Sequence, residues 1–223
     1  MSATSTVLRV ESFFGTLRRV DERVETLLGV PTYDDASVYR TADEATTALA
    51  ELGDALVTAA PFPSQVGRAD DGLDEPLTAV LEAQYADPTA WADGETAGPD
   101  AVAVGALVEA GRLERRGDEL VVPLARTGAA ARNWGPTLAV MRAVVRELRD
   151  RTRTLARRSR AAEAPDARAA CESLSRMLAS LRDVLVRASS GVAFVGRRTD
   201  RRSDRPLSFA EWAGGRLNGG DNA

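Results

Sequence analysis

The side chains in this chain that could perform acid–base or metal chemistry are carboxylates and one thiol, because its 223 residues include no histidine and no lysine. The densest carboxylate group is DDGLDE at 70–75, which lacks the alternating oxygen ligands and downstream glutamate of a calcium loop. We therefore expect a solvated acidic loop there. Asp34 and Asp35 could serve as a pair of glycosidase carboxylates, but nothing in the sequence supplies a cleft beside them.

The missing residue types exclude several reaction classes. Without histidine there is no imidazole to activate a nucleophile and no imidazole metal ligand. Without lysine there is no Schiff base, no bound pyridoxal phosphate and no phosphate-loop lysine. Cys171 lies among apolar residues in a predicted helix, where a buried thiol packs as a small hydrophobe. We therefore predict that the chain is not an enzyme and has no catalytic residues, no metal and no cofactor.

Charge is divided unevenly along the chain. Residues 1–111 contain 20 acidic residues and 6 arginines, whereas residues 112–223 contain 13 acidic residues and 23 arginines. Such a chain can fold its halves against each other, stack head to tail, or offer one face to a polyanion. Two solvated faces of opposite sign are the simplest alternative.

Apolar spacing predicts a mainly α-helical fold. The first helix ends at Gly29 and carries a stripe with 3-4-3-4-3 spacing, formed by Val10, Phe13, Leu17, Val20, Val24 and Leu27. A second helix is predicted to begin at Thr41, which forms a capping box with Glu44. Two shorter helices are predicted over 77–85 and 99–111.

The longest predicted element is an antiparallel helical hairpin over 136–190. Pro136 opens its first helix, and Asp166 is the predicted N-cap of its second. Apolar residues repeat at coiled-coil spacing in both helices, as Leu138, Met141, Val145, Leu148, Thr152 and Leu155, and as Ala167, Ala170, Leu174, Met177, Leu181, Val184 and Ala188. The first helix of the chain could join this bundle or could pair with its own copy in another subunit.

Arginine dominates the first helix of that hairpin. The stretch 142–160 contains eight arginines against Glu147 and Asp150. With the apolar seam at heptad positions a and d, four arginines flank it at e and g, namely Arg142, Arg149, Arg151 and Arg158. The following helix offers mostly further arginine. We therefore expect these guanidinium groups to bind carboxylates of the acidic half, another subunit, or phosphates.

A β-hairpin is predicted within LVEAGRLERRGDELVVPL at 107–124. Two short apolar-alternating runs, about 112–115 and 119–124, flank Gly117 and Asp118, a pair that favours a tight hairpin turn.

This stretch resembles the last helix and the β-wing of a winged helix, and the resemblance extends over about 77–126. A winged helix implies DNA binding, in which Arg112, Arg115 and Arg116 would decorate the wing. The preceding helix, GPDAVAVGALVEAG, has no basic side chain that could contact a base edge or a phosphate. We therefore predict that the wing is scaffold or partner surface rather than a DNA-reading element.

The chain divides into five predicted segments: N-terminal helices over 1–60, an acidic connector over 61–76, the winged-helix-like module over 77–126, the arginine-rich hairpin over 136–190, and a basic linker with a C-terminal docking tail over 191–223. In that tail, Phe209 and Trp212 could dock in a groove of the chain itself or of a partner.

Two functional hypotheses follow. The first is a non-catalytic interaction or assembly protein, an adaptor or a subunit of a larger complex, that binds another protein or itself as a homo-oligomer through heptad seams and charge complementarity. The alternative is a DNA-binding winged-helix transcriptional regulator with a coiled-coil dimerisation hairpin. No apolar run approaches the roughly 20 residues of a membrane span, and a lone cysteine suits a reducing compartment. We therefore expect a cytoplasmic protein with no membrane partner.

Overall fold

The computed structural model of the chain describes residues 10–59, 72–86, 101–116, 119–124 and 128–189. Strands β1 (Glu114–Arg116) and β2 (Glu119–Val121) form a two-stranded antiparallel sheet, in which Arg115 pairs with Leu120. The α-helices of these ranges are α1 (Val10–Gly29), α2 (Asp35–Ala59), α3 (Asp74–Ala86), α4 (Ala101–Glu109), α5 (Trp134–Ala161) and α6 (Pro165–Ser189). The predicted mainly α fold with one small antiparallel sheet is therefore confirmed.

Four helices close a ring around one apolar core. α6 lies between α5 and α2, and α1 also packs against α5 and α2. α2 and α5 are therefore diagonal to each other in this ring, with α1 and α6 between them. α3 packs on α5 and α1, and α4 packs on α3. Within the described ranges no helix has both the length and the apolar character needed to cross a membrane.

The apolar face of α6 is wider than the predicted seam. Cys171, Leu178 and Leu185 are fully buried although the predicted repeat leaves them out, and Ala170 in that repeat is only partly buried. A broad apolar face is required because α6 contacts α5 on one side and α2 on the other. The seam residues of α1 and α5 are buried almost without exception, so the chain uses these surfaces internally.

α2 begins at Asp35, so the predicted start at Thr41 is wrong. Asp34 caps the helix instead: Ser37 Oγ donates a hydrogen bond of 2.5 Å to Asp34 Oδ2. That bond, together with bonds from the backbone N–H groups of Ser37 and Ala36, holds the pKa of Asp34 below its usual value. An N-cap carboxylate satisfies backbone donors that have no partner within the helix. Asp34, a candidate glycosidase carboxylate by sequence, therefore has a structural role.

The link between α5 and α6 also differs from the prediction. α6 begins at Pro165, which places Asp166 inside the first turn rather than at the N-cap. α5 ends in a Schellman motif, in which the N–H groups of Glu163 and Ala164 bond the carbonyl oxygens of Arg160 (3.2 Å) and Ser159 (3.0 Å). Glu163 has φ 55°, a left-handed conformation that usually favours glycine.

Candidate partner-binding surface

Arg151, one of the predicted binding arginines, faces α1. Its Nη1 lies 2.9 Å from Asp21 Oδ1 and 3.4 Å from Glu25 Oε2, and its Nη2 lies 2.8 Å from Glu147 Oε1. With the α1 seam at a and d, Asp21 occupies an e position, from which a side chain can reach a g residue of a neighbouring helix. This contact joins the acidic and the basic halves of the chain within one monomer.

Asp21 also bonds α3. Tyr85 Oη donates a hydrogen bond of 3.3 Å to Asp21 Oδ2. Burial raises the pKa of Asp21, and the lowering effects of Arg151 and of this hydrogen bond are smaller. Burial, followed by the charge of Asp21, raises the pKa of Tyr85 above its usual value. The heptad position of Asp21 is the sequence signal that could have identified this contact.

Arg158 binds the C-terminal end of α1. Its Nη1 donates to the carbonyl oxygens of Leu27 (3.2 Å) and Leu28 (2.6 Å), and its Nη2 donates to that of Val30 (2.9 Å). Carbonyl groups at a helix C-terminus lack partners within the helix and carry partial negative charge, which a guanidinium group stabilises. Arg158 is therefore occupied inside the monomer.

A second set of arginines lies on the solvent side of α5 and the adjoining side of α6. Arg153 Nη1 lies 3.4 Å from Asp150 Oδ1, and Arg157 Nη2 donates a 3.0 Å hydrogen bond to Thr154 Oγ1. Apart from Arg153, no member of the set forms an ion pair within the described ranges. The set is named the arginine face and consists of the exposed residues Arg146, Arg153, Arg157, Arg160 and Arg176.

None of these five residues was among the predicted binding residues, which occupy e and g positions beside the seam. The members of the arginine face on α5 occupy b and f positions, which point away from an a/d seam. Arginines at these outer heptad positions are the sequence feature that could have identified the arginine face.

Arg149 lies at the edge of the arginine face. Its Nε is buried and has no hydrogen-bond partner among the described residues. Burial lowers the pKa of Arg149, and the charges of Arg153 and Arg182 lower it further. Arg142, the other predicted e-position arginine, is partly buried and has interactions of its own. Positive charge is therefore concentrated where α5 meets α6.

An open groove runs along the exposed side of α5, between Leu28 of α1 and Ser175 of α6. Its lining includes five arginines and three carboxylates, a net charge of +2: Arg146, Arg151, Arg153, Arg157, Arg176, Glu147, Asp150 and Glu172. A groove with interspersed charges suits a partner whose acidic side chains lie opposite the arginines rather than opposite the carboxylates.

Arg112, predicted to lie on an exposed wing, is buried and has a structural role, which corrects its place among the binding residues. Only 1% of it is exposed. Its Nη2 lies 2.6 Å from Asp74 Oδ1, and its Nε donates a 2.6 Å hydrogen bond to Asn133 Oδ1. Asn133 Nδ2 donates to the carbonyl oxygens of Arg112 (2.9 Å) and Pro123 (2.8 Å). Asp74, expected in a solvated loop, is thus the partner of a buried guanidinium.

The local backbone explains why Arg112 points inward. α4 ends in a Schellman motif with Gly111 at φ 67°, and the N–H of Arg112 bonds the carbonyl oxygen of Leu107 (2.8 Å). Arg112 therefore belongs to the helix end rather than to the predicted first strand, which begins at Glu114. Arg115 and Arg116 are exposed on β1, and Arg116 pairs with Glu114 at 2.9 Å.

Other predicted features add no reactive site to the described ranges. Cys171 is buried, and burial raises its pKa to about 11, so little of the thiol ionises at neutral pH. No group of three or more His, Cys, Asp or Glu side chains in the described ranges could hold a metal ion. The predicted docking residues Phe209 and Trp212, the turn at 117–118 and most of the 61–76 connector lie outside the described residues.

Comparisons with protein-family models, with curated proteins and with solved structures found no match to this chain.

Proposed function

We propose that the chain is a non-catalytic interaction protein that binds an acidic protein surface through the arginine face. The observation that carries this proposal is that some α5 arginines contact α1 whereas others face solvent. Arg151 and Arg158 are occupied by α1, whereas Arg146 and Arg157 are exposed and form no ion pair within the described ranges. Guanidinium groups bind carboxylates through paired hydrogen bonds, so this surface suits an acidic partner.

In this proposal α5 and α6 act as a long antiparallel hairpin that holds the arginine face rigid. Their seams are buried within the monomer, so a coiled coil with another chain would have to compete with the core. Recognition is therefore assigned to the outer charges rather than to the heptad seams. Arginines on a rigid helix bind with a smaller loss of backbone freedom than arginines on a loop.

Protein is favoured over DNA because carboxylates are interspersed with the arginines. Glu147, Asp150 and Glu172 line the same groove and would repel the regularly spaced phosphates of a duplex, whereas a flexible acidic chain can place its carboxylates beside the arginines and away from them. Val102 on α4 is 77% exposed, and α4 contains no basic residue that could contact a base edge. Arg115 and Arg116, which remain exposed, support the alternative of a winged-helix regulator and supply its test.

The experiment compares binding of two probes, poly-glutamate and nonspecific duplex DNA, across a salt series. The test variant is Arg146→Glu with Arg157→Glu. The matched control, Arg19→Glu with Arg40→Glu, makes the same charge change at exposed positions of α1 and α2. We expect poly-glutamate to bind the wild type, with affinity falling as salt rises, and to bind the test variant about tenfold more weakly. The control should bind within about twofold of the wild type, since charge outside a contact changes affinity little.

Three results would overturn the proposal. Absence of poly-glutamate binding at low salt removes the acidic-surface hypothesis, as does an equal loss in the test and control variants. Tight DNA binding that depends on Arg115 and Arg116 would instead establish the regulator hypothesis, with a steep salt dependence from phosphate contacts.

A further inference from the structure

α2 is acidic, whereas α5 is basic. α2 contains five acidic residues and one arginine, whereas α5 contains eight arginines and two acidic residues. Three exposed carboxylates on α2 are named the acidic face: Asp43, Glu44 and Glu51. Glu44 pairs with Arg23 of α1 at 2.6 Å. Asp43 and Glu51 form no ion pair within the described ranges.

Folding keeps the acidic face and the arginine face apart. α2 and α5 are diagonal in the four-helix ring, and α1 and α6 separate them. The acidic face lies wholly on α2, and every member of the arginine face except Arg176 lies on α5, outside the buried seams of these two helices. Within the described ranges no carboxylate of the acidic face forms an ion pair with a member of the arginine face.

The two faces have compatible spacings. Asp43 and Glu51 are eight residues apart, which corresponds to about 12 Å along a helix axis. Arg146 and Arg153 are seven residues apart, or about 10.5 Å, and Arg146 and Arg157 are eleven residues apart, or about 16.5 Å. Arginine side chains are long enough to absorb differences of a few ångströms.

We propose that the acidic face of one copy binds the arginine face of a second copy. This inference rests on the proposed function, because it names the partner of the same surface. The contact is heterologous: each copy uses two different faces and leaves one of each free for the next copy. Repetition therefore gives an open chain or a closed ring rather than a two-fold dimer.

Charge rather than apolar burial holds this contact. The four large apolar side chains exposed in the described ranges are scattered over four segments, and none belongs to either face: Val30, Tyr39, Val102 and Val186. The Debye length falls from about 30 Å at 0.01 M salt to about 3 Å at 1 M salt, so the assembly should be strongly salt-dependent.

The experiment is sedimentation velocity over a concentration series at about 25 mM and about 500 mM salt, a range over which screening changes several-fold. The basic-face variant is Arg146→Glu with Arg157→Glu, and the acidic-face variant is Asp43→Arg with Glu51→Arg. The control, Glu75→Arg with Glu82→Arg, makes the same charge change as the acidic-face variant at exposed positions of α3. Circular dichroism verifies that each variant is folded.

We expect the wild type and the control to assemble at low salt and to dissociate at high salt. Each face variant alone should assemble at least about tenfold more weakly, since its two faces then repel each other. An equimolar mixture of the two variants should assemble again, because one has two acidic faces and the other has two basic faces. Restoration by mixing distinguishes this contact from damage to the fold.

The proposal is overturned by a wild type that stays monomeric at low salt, or by face variants that assemble like the control. A monomeric wild type that still binds poly-glutamate through Arg146 and Arg157 contradicts self-assembly alone and retains the proposed function. A monomeric wild type that binds no poly-glutamate contradicts both. Assembly that requires added duplex DNA would show that phosphates occupy the arginine face.

Discussion

Replacing Asn133 with alanine should strongly destabilise the fold. Asn133 is fully buried, accepts a hydrogen bond from Arg112 and donates to two backbone carbonyl oxygens. A hydrogen bond contributes about 1 kcal/mol and a charged one about 1.5–3 kcal/mol, so the three together amount to about 3.5–5 kcal/mol. The alanine variant also leaves part of a buried guanidinium without an acceptor, which adds to the cost.

The control is Thr137→Val, in the first turn of α5 and four residues after Asn133. Thr137 is also fully buried, but its Oγ1 has no hydrogen-bond partner among the described residues. Removing a buried hydroxyl without a partner should stabilise the fold by about 1 kcal/mol. The free energy of unfolding of Asp74→Asn should lie between those of the two variants. The Asp74 side chain is 39% exposed, so water can replace part of the lost ion pair.

Urea denaturation followed by circular dichroism measures all three free energies of unfolding, and unchanged m values verify that the same surface unfolds. A loss below about 1 kcal/mol for Asn133→Ala would refute the reasoning, since it would mean that the buried bonds contribute almost nothing. So would a larger loss for Asp74→Asn than for Asn133→Ala.

Three further predictions concern single residues. Glu163→Gly should raise the free energy of unfolding by about 0.5–1 kcal/mol in urea denaturation, because φ 55° costs a residue with a Cβ more than glycine; an unchanged or lower value contradicts this. Asp21 has a raised pKa in the folded state, so its contribution to stability is present at low pH and is lost as pH rises through that pKa. As the pH rises from about 3 to 7, the free energy of unfolding of the wild type should therefore fall relative to that of Asp21→Asn. A difference that stays constant over this range refutes the prediction. The Cys171 thiol, with its pKa near 11, should be about 0.1% thiolate at pH 8 and should react with a thiol reagent only after the protein opens; labelling as fast as that of the urea-unfolded chain argues against burial.

The helices whose apolar stripes face the core could be predicted from the sequence. The stripe in α1 and the seam in α5 coincide with buried residues, because each of these helices needs only one apolar side to pack against the core. The start of α2 could not be predicted in the same way. Thr41 with Glu44 and Asp34 with Ser37 both satisfy capping rules, and the structure selects the earlier pair, which extends the helix by more than a turn.

The candidate site was predicted less well than the fold. Arg112 was predicted to be a wing residue because it is a charged residue before a turn. The sequence does not show that the chain reverses at Gly111 and that this reversal turns the Arg112 side chain inward. Asp74 and Asn133 are 38 and 21 residues from Arg112 along the chain, so no local pattern connects them. The heptad pattern did identify Arg151 and Arg158 as flanking residues, but not α1 as the helix they contact.

The position of an arginine around α5, rather than the number of arginines, decides its role. Arg151 and Arg158 lie beside α1 and neutralise carboxylate and helix-end charge there. Arg146 and Arg157 belong to the same helix, but they point outward, where no carboxylate of the described ranges pairs with them. Folding therefore pairs only part of the negative charge of the N-terminal half with the positive charge of the C-terminal half. Most of the remainder lies on α2 and α5, which are diagonal in the ring. Within one molecule these charges are therefore left to solvent ions, and a second copy is the partner that we propose for them.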